Sequence, residues 1–247
     1  MAMTIDLNCD MGESFGAWKM GHDEQIMPYI QSANIACGFH AGDAHIMRKT
    51  VALAIQHGVK IGAHPGLNDL AGFGRRNIPI TPEQAYDLVV VQIGALAAVA
   101  KSQGSKLHHV KPHGSLYNMA ANNEALAKAI AQAVLDVDGS LVLYALANSL
   151  SAQVATQMGL CVKQEVFADR TYQDNGLLTP RNQPNAMITD IDKAIQQVLS
   201  MVKEGCVVTT SGKVIPIQAD TLCIHGDQAN ALVFAQGIHT ALQKEGL

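Results

Sequence analysis

The chain has 247 residues, 48% of them hydrophobic, 15% charged and only 4% aromatic, which fits a globular protein with one large core or two small ones. With 17 Lys and Arg against 21 Asp and Glu, the net charge of −4 supplies no basic field to recruit nucleic acid by counterion release, so a small anionic substrate must be met by a few placed cations. Five cysteines, Cys9, Cys37, Cys161, Cys206 and Cys223, lack C-x-x-C spacing and indicate neither a disulfide framework nor a zinc knuckle.

Short apolar runs, each followed by a Gly- or Asp-bearing turn and then a helical pattern, recur along the chain. The predicted strands are Met3 to Cys9, Ser32 to Cys37, Val59 to Ala63, Leu107 to Lys111, Leu141 to Ala145, Cys161 to Phe167 and Thr221 to Ile224. Between them, Asp43 opens a helix to Gln56 that Gly58 stops, and Thr81-Pro82-Glu83-Gln84 combines an N-cap, an N1 proline and a capping-box glutamine. Further helices are predicted over Asn122 to Val137, Asn148 to Met158, Thr189 to Val202 and Asp227 to Lys244, with a small hairpin at Val207 to Ile217. Strands alternating with helices imply parallel pairing through right-handed crossovers. Seven such units favour an α/β fold of the closed (β/α) barrel type with seven strands, over a doubly wound open sheet. No linker, repeat or low-complexity tract divides residues 1–247, so a single barrel domain is expected.

The N-terminus, MAMTIDLNCD, has no basic segment and no apolar run of signal-peptide length, so the chain is expected to stay in the cytoplasm. The stretch from Leu88 to Ala100 is interrupted by Gln92 and falls short of the roughly 20 residues a membrane-spanning helix needs. It reads as a buried helix, and no membrane partner is expected.

In a barrel the βα loops at the carboxyl ends of the strands build the active site. Polar groups fill those positions here. After the first strand come Asn8, Asp10 and Glu13; after the second, His40 and Asp43; after the third, His64, with Arg75 and Arg76 further along its loop. The fourth is followed by Lys111, His113, Ser115 and Tyr117, the sixth by Asp169, Arg170 and Tyr172 with Glu165 just inside it, and the seventh by His225 and Asp227. The fifth strand contributes little, and the opposite loops carry only ordinary helix-stop residues. Side chains this distant in sequence converge only at one rim.

Several of these residues also have plain structural readings. Asp43 and Asp227 each follow a glycine and open a predicted helix, as N-caps do. Cys9 and Cys37 read as packing, and His22, His45, His57 and His239 as helix-surface or core-edge groups. His108 and His109 are adjacent on a strand and should face opposite ways, which leaves His109, Lys111 and His113 as the inward triplet.

His40 and His45, five residues apart, miss the i, i+4 spacing of a zinc helix. A metal would need ligands from separate strands, and Asp10, His40 and His64 offer two nitrogens and an oxygen for a divalent cation. Phosphate loops fail on inspection: Gly205 and Gly212 are two positions too far apart for a P-loop, Val214 stands where Ser or Thr should bind magnesium, and Asn77 replaces the third glycine after Gly72-Phe73-Gly74.

LNCDMGESFG, NIACGFHAGD, IGAHPGLND followed by GFGRR, VKPHGSLY, EVFADRTY and LCIHGD occur in this order over nearly the whole chain. Together they resemble the LamB/YcsF family. The resemblance implies a seven-stranded (β/α) barrel related to glycoside hydrolases and polysaccharide deacetylases. It also implies ATP-dependent 5-oxoprolinase activity, the hydrolysis of 5-oxo-L-proline to L-glutamate with cleavage of ATP, in a complex with two further subunits, B and C. A partner that handles ATP would account for the missing P-loop, and the deacetylase kinship keeps a divalent metal at Asp10, His40 and His64 in view.

Opening the lactam requires activation of its carbonyl, deprotonation of water and protonation of the ring nitrogen. Asp10 or Glu13 is the expected base and His40 or His64 the acid, with Lys111 and His113 stabilising negative charge. Arg75, Arg76 or Arg170 is expected to hold the substrate carboxylate, and Asn8, Tyr117 and His225 to complete the substrate contacts. Two other functions fit the same residues: a stand-alone metal-dependent deacetylase or amidohydrolase, and a non-catalytic substrate-binding or regulatory subunit. The oligomeric state is left open, a homo-oligomer included.

Overall fold

The computed structural model describes residues 5–227 and 230–247. Seven parallel strands close into a barrel: β1 (Asp6–Met11), β2 (Ser32–Ala36), β3 (Lys60–His64), β4 (His109–Val110), β5 (Val142–Leu146), β6 (Cys161–Phe167) and, after an inserted hairpin of β7 (Cys206–Val208) and β8 (Val214–Pro216), β9 (Thr221–Ile224). Pairing runs in chain order and β9 closes on β1, Asn8 lying opposite Cys223 and Cys9 opposite Ile224. The expected beginning of the first strand, Met3 and Thr4, lies outside the described residues, as do residues 228–229 of the expected last helix.

The helices are α1 (Asp23–Ile26), α2 (Ala44–His57), α3 (Pro82–Ser102), α4 (Gly114–Ala120), α5 (Glu124–Asp138), α6 (Leu150–Gln157), α7 (Ile191–Leu199) and α8 (Ala231–Lys244). Their ends follow the side chains. Asp43 accepts from the backbone N–H of His45 and Ile46, Gly58 terminates α2 in the left-handed region, and Thr81 and Gln84 form the reciprocal capping box of α3. Such caps contribute about 1 kcal/mol each by satisfying N–H groups the helix leaves unpaired. Asp227 does not cap α8, which begins at Ala231 after Asn230, and its carboxylate binds Arg75 instead.

α3 is 21 residues long and, by length and composition, is the one helix among the described residues apolar enough to cross a membrane. Its Ala85, Val89, Gln92, Ile93, Leu96 and Ala100 are buried in the protein core, whereas Val91 is exposed, so the stretch expected to be a buried helix is part of a longer helix that buries only one face. The short α1 and α4 are additions to the expected elements, because neither is long enough to carry a periodic signal.

Outward residues of the strands, such as Leu7, Ile35, Ile61 and Val110, pack under the helices with almost no exposure, each contributing about 1.5–3 kcal/mol by burial. The inside of the barrel is unusual. Barrel interiors are dominated by branched apolar residues, yet here polar side chains stack in layers. At the amino end, Asp6 accepts hydrogen bonds from Ser32 Oγ (2.8 Å), Tyr144 OH (2.9 Å) and Thr221 Oγ1 (2.8 Å). Above it, Asn34 donates to Asn8 (2.7 Å) and accepts from His109 Nε2 (2.8 Å), while Asn8 donates to Glu165 (3.0 Å). Each of these buried groups has a partner, which a low-dielectric interior demands.

Candidate active site at the carboxyl-end rim

The top layer opens into a cavity of about 780 Å³ lined by Asp10, His64, Arg75, Lys111, His113, Tyr117, Arg170, Arg181 and His225 among others. Ligand sites typically occupy roughly 300–1,000 Å³.

Lys111 is the centre of its floor. Its ammonium donates to Asp10 Oδ1 (2.7 Å), sits 3.1 Å from Glu165 Oε1 and 2.9 Å from Cys223 Sγ, and is almost fully buried. Burial opposes the charge, but Asp10 and its neighbours outweigh burial and hold the ammonium well above the usual lysine range. Burial likewise pushes the Asp10 carboxyl up, and His64 and Lys111 overcome it to hold Asp10 well below the ordinary carboxylate range. The pair is therefore ionic. Asn34 also donates to Asp10 Oδ1 (2.9 Å), and Tyr117 OH donates to Glu165 Oε2 (2.7 Å).

Beside this pair stand three imidazoles. His64 Nδ1 lies 2.6 Å from the Lys111 carbonyl, His113 Nε2 lies 2.8 Å from the Phe73 carbonyl, and His64 Nε2 and His113 Nδ1 face each other at 2.9 Å. The His40 ring stacks on His113 with centroids 3.7 Å apart, and its Nε2 is 4.0 Å from Glu13 Oε1. Two glycines of the sequence motifs make the crowding feasible. A Cβ at Gly66 would meet His40 Nδ1 at 2.4 Å, and one at Gly74, where φ is +62°, would meet both His40 Cβ and His113 Cδ2 at 2.8 Å. Burial pushes the His40 and His113 imidazoles well below the usual range and Glu13, with Asp10 nearby, well above the carboxylate range.

The opposite wall is cationic. Arg75 binds Asp227 (2.7 Å) and lies over the Phe73 ring, and Arg181 donates to His225 Nε2 (3.0 Å). Since arginine can only donate, His225 carries its proton on Nδ1, which donates to Asp169 (2.8 Å). Burial opposes ionisation of Asp169, but His225, Arg181 and Arg170 hold its carboxyl below the usual range.

The structure thus gathers Asp10, Glu13, His40, His64, Lys111 and His113 as the sequence suggested, with Glu13 and His40 behind the cavity wall. It redistributes the remaining expectations. Asn8 is wholly buried in the layer below and touches Glu165 and Thr221, so it supports the floor rather than reaching a substrate. The Arg76 guanidinium binds Asp69 and is otherwise exposed, leaving it outside the cavity. Arg170 lines the cavity but directs Nε and Nη2 to the Ala186 and Thr179 carbonyls, which holds its own loop together. Of the expected metal trio, Asp10 is engaged by Lys111 and Asn34, whereas Glu13, His40, His64 and His113 bring four donor atoms within 4.8 Å of one another. His108 and His109 do touch, Nδ1 to Nδ1 at 3.3 Å, despite opposite strand faces.

Glu165, Asn34, Cys223, Asp169 and Arg181 had no assigned role from the sequence. For the first three the signal is present: alternation in DLNCDM, SANIA, CVKQEVF and TLCI places a polar or sulfur-bearing residue at most inward positions, Ala36 and Phe167 being the exceptions at the carboxyl ends of β2 and β6. Arg181 lies in a long irregular segment without periodicity, where nothing local announces it.

A closed seven-stranded parallel barrel with its polar machinery at the strands' carboxyl ends defines a (β/α)-barrel protein of the kind that carries its chemistry at that rim. The LamB/YcsF family model matches residues 5–247, and the chain belongs to that family. It is 64% identical over 247 residues to the 5-oxoprolinase A subunit of Bordetella pertussis, covering all of this chain and 98% of that protein. Among solved structures, a lactam utilization protein from Thermus thermophilus superposes with a TM-score of 0.93 at 46% identity, covering 99% of this chain and 98% of that one. A GH113 β-1,4-mannanase, at 11% identity over 98% of this chain and 99% of its own, shares the fold with a TM-score of 0.54.

Proposed function

We propose that this chain is the A subunit of an ATP-dependent 5-oxoprolinase, which opens the lactam of 5-oxo-L-proline to L-glutamate together with subunits B and C. The observation that carries the reading is the Lys111–Asp10 ion pair on the floor of a cavity walled by Arg75 and Arg181. It joins a fixed negative group, a fixed positive group and an anion-binding wall, in a chain whose full-length relatives are named as 5-oxoprolinase A subunits.

Amide resonance makes the lactam carbonyl a poor electrophile, and ATP is needed to activate its oxygen. No P-loop occurs in this chain, so activation falls to the partner subunits and the activated lactam is delivered to this rim. Arg181, braced by His225 and Asp169, and Arg75, braced by Asp227, hold anionic groups of the substrate. Lys111 then stabilises negative charge on the carbonyl oxygen or its phosphate. The ionised Asp10 accepts a proton from the attacking water and returns it to the ring nitrogen as the C–N bond breaks, and the acyl phosphate so formed is hydrolysed by a second water to glutamate and inorganic phosphate. Tyr117 and Glu165 fix the lysine.

The test is an assay of ATP-dependent glutamate formation from 5-oxoproline with this chain alone, with subunits B and C alone, and with all three. Glutamate only in the complete mixture is the expected result. Formation by this chain alone would overturn the division of labour, and chelator-sensitive hydrolysis of N-acyl substrates without ATP would point to a deacetylase instead.

A further inference from the structure

We infer that Glu13, His40, His64 and His113 form a binding site for one divalent transition-metal cation, directly beside the Lys111–Asp10 pair, Asp10 Oδ2 lying 3.4 Å from His64 Nε2. The inference starts from where the ring protons must be. Carbonyl oxygens only accept, so His64 must carry a proton on Nδ1 to meet the Lys111 carbonyl at 2.6 Å, and His113 must carry one on Nε2 to meet the Phe73 carbonyl at 2.8 Å. In the neutral rings, the remaining nitrogens, His64 Nε2 and His113 Nδ1, are then both bare lone pairs, and they face each other at 2.9 Å. Two acceptors at that distance repel unless something positive lies between or beside them.

A single extra proton would relieve this one contact. It would leave the rest unexplained. Glu13 Oε1 and both ring nitrogens of His40 are buried with no hydrogen-bond partner, although buried polar atoms are normally satisfied. Glu13 Oε1 lies 3.8 Å from His113 Nδ1 and 4.0 Å from His40 Nε2, so the orphaned atoms belong to the same cluster as the opposed lone pairs. One cation answers the opposed lone pairs, Glu13 Oε1 and one of the two His40 nitrogens together, each residue offering a single donor atom. Three imidazoles and a carboxylate form the donor set suited to Zn²⁺ or Co²⁺ rather than to Mg²⁺ or Ca²⁺, which favour oxygen. The carbonyl bonds to the far nitrogens of His64 and His113 are the outer contacts that orient metal-bound histidines.

The other group of candidate donors, Asp10, Cys223 and His225, is not chosen. The Lys111 ammonium already sits 2.7 Å from Asp10 and 2.9 Å from Cys223, supplying the positive charge those atoms require.

The test uses the full chain, stripped by chelator and titrated with Co²⁺ while visible absorption is recorded, with bound metal counted by plasma mass spectrometry. The expected result is one saturable equivalent per chain, with ligand-field bands but no thiolate charge-transfer band, and unchanged binding in Cys223→Ser. Glu13→Gln and His113→Gln should each weaken Co²⁺ binding by at least the roughly 10–100-fold that loss of an outer contact costs. Circular dichroism checks that each variant is folded, and if His113→Gln is not, the wild-type spectrum and Glu13→Gln decide. The absence of saturable binding by the folded wild-type chain, equal affinity in folded Glu13→Gln, or loss of binding in Cys223→Ser would each overturn the inference.

Discussion

Lys111 Nζ lies 2.7 Å from Asp10 Oδ1 and 3.1 Å from Glu165 Oε1, so one buried ammonium holds two carboxylates from β1 and β6, the strands that flank β9. Removing the lysine leaves both negative groups without their cation. Lys111→Met should therefore destabilise the protein by about 3–5 kcal/mol, measured by urea denaturation. Asp10→Asn should cost less stability, because Glu165 still faces the ammonium. Under the proposed mechanism it should lower ATP-dependent turnover by about 10²–10⁴-fold in the complete complex; near-normal turnover would remove Asp10 from the chemistry.

The two arginines of the GFGRR motif should behave differently from each other. Arg75 faces the cavity with Asp227, whereas Arg76 binds Asp69 in the loop beyond it. Losing a charge-assisted hydrogen bond costs about 1.5–3 kcal/mol, or roughly a 10–100-fold rise in KM, and this is expected for Arg75→Met and Arg181→Met. Arg76→Met should leave KM unchanged. Steady-state kinetics of the complex against 5-oxoproline distinguish these outcomes.

Gly74 separates space from conformation. An alanine there has φ +62° to sustain and a Cβ 2.8 Å from His113 and His40. Gly74→Ala should lose about 1–3 kcal/mol in urea denaturation through strain, and should also displace the paired rings, so activity falls further than stability alone accounts for.

Asp6 should give the amino end of the barrel a pH signature. Burial opposes its ionisation, but Lys163 and the hydroxyls of Thr221, Ser32 and Tyr144 together hold its carboxyl below the usual range. A carboxyl depressed in the folded state contributes stability above its unfolded value of about 3.9, and that contribution is lost as pH falls through the folded value. The stability difference between the wild type and Asp6→Asn should thus be full near neutral pH and shrink only below about pH 4. Denaturation midpoints across the acid range would show it, and a difference that stays constant with pH would count against the assignment.

Much of the architecture is written in local patterns. Asp43, Gly58, Thr81 and Gln84 mark helix ends because their side chains or φ angles satisfy backbone groups within a few residues. The seven strand-to-helix steps then leave few ways to bury every apolar face, and the closed barrel is one of them. The rim location of the reactive residues follows from the same logic, since each lies just past a predicted strand. The family motifs add the register in which they occur.

What the chain alone could not decide is who partners whom. Arg75, Arg76 and Arg170 are chemically alike in sequence, yet packing turns one toward the cavity, one toward Asp69 and one onto backbone carbonyls. Asn8 and Asp10, two residues apart on the same strand face, end in different layers because each step of two along β1 climbs the barrel axis. The opposition of His64 and His113 exists only because β3 and β4 pair side by side and two carbonyls fix the ring protons. Local signals set the elements, because capping and alternation act over a few residues. Charge pairing and ring orientation act across space, and only the tertiary structure supplies those distances.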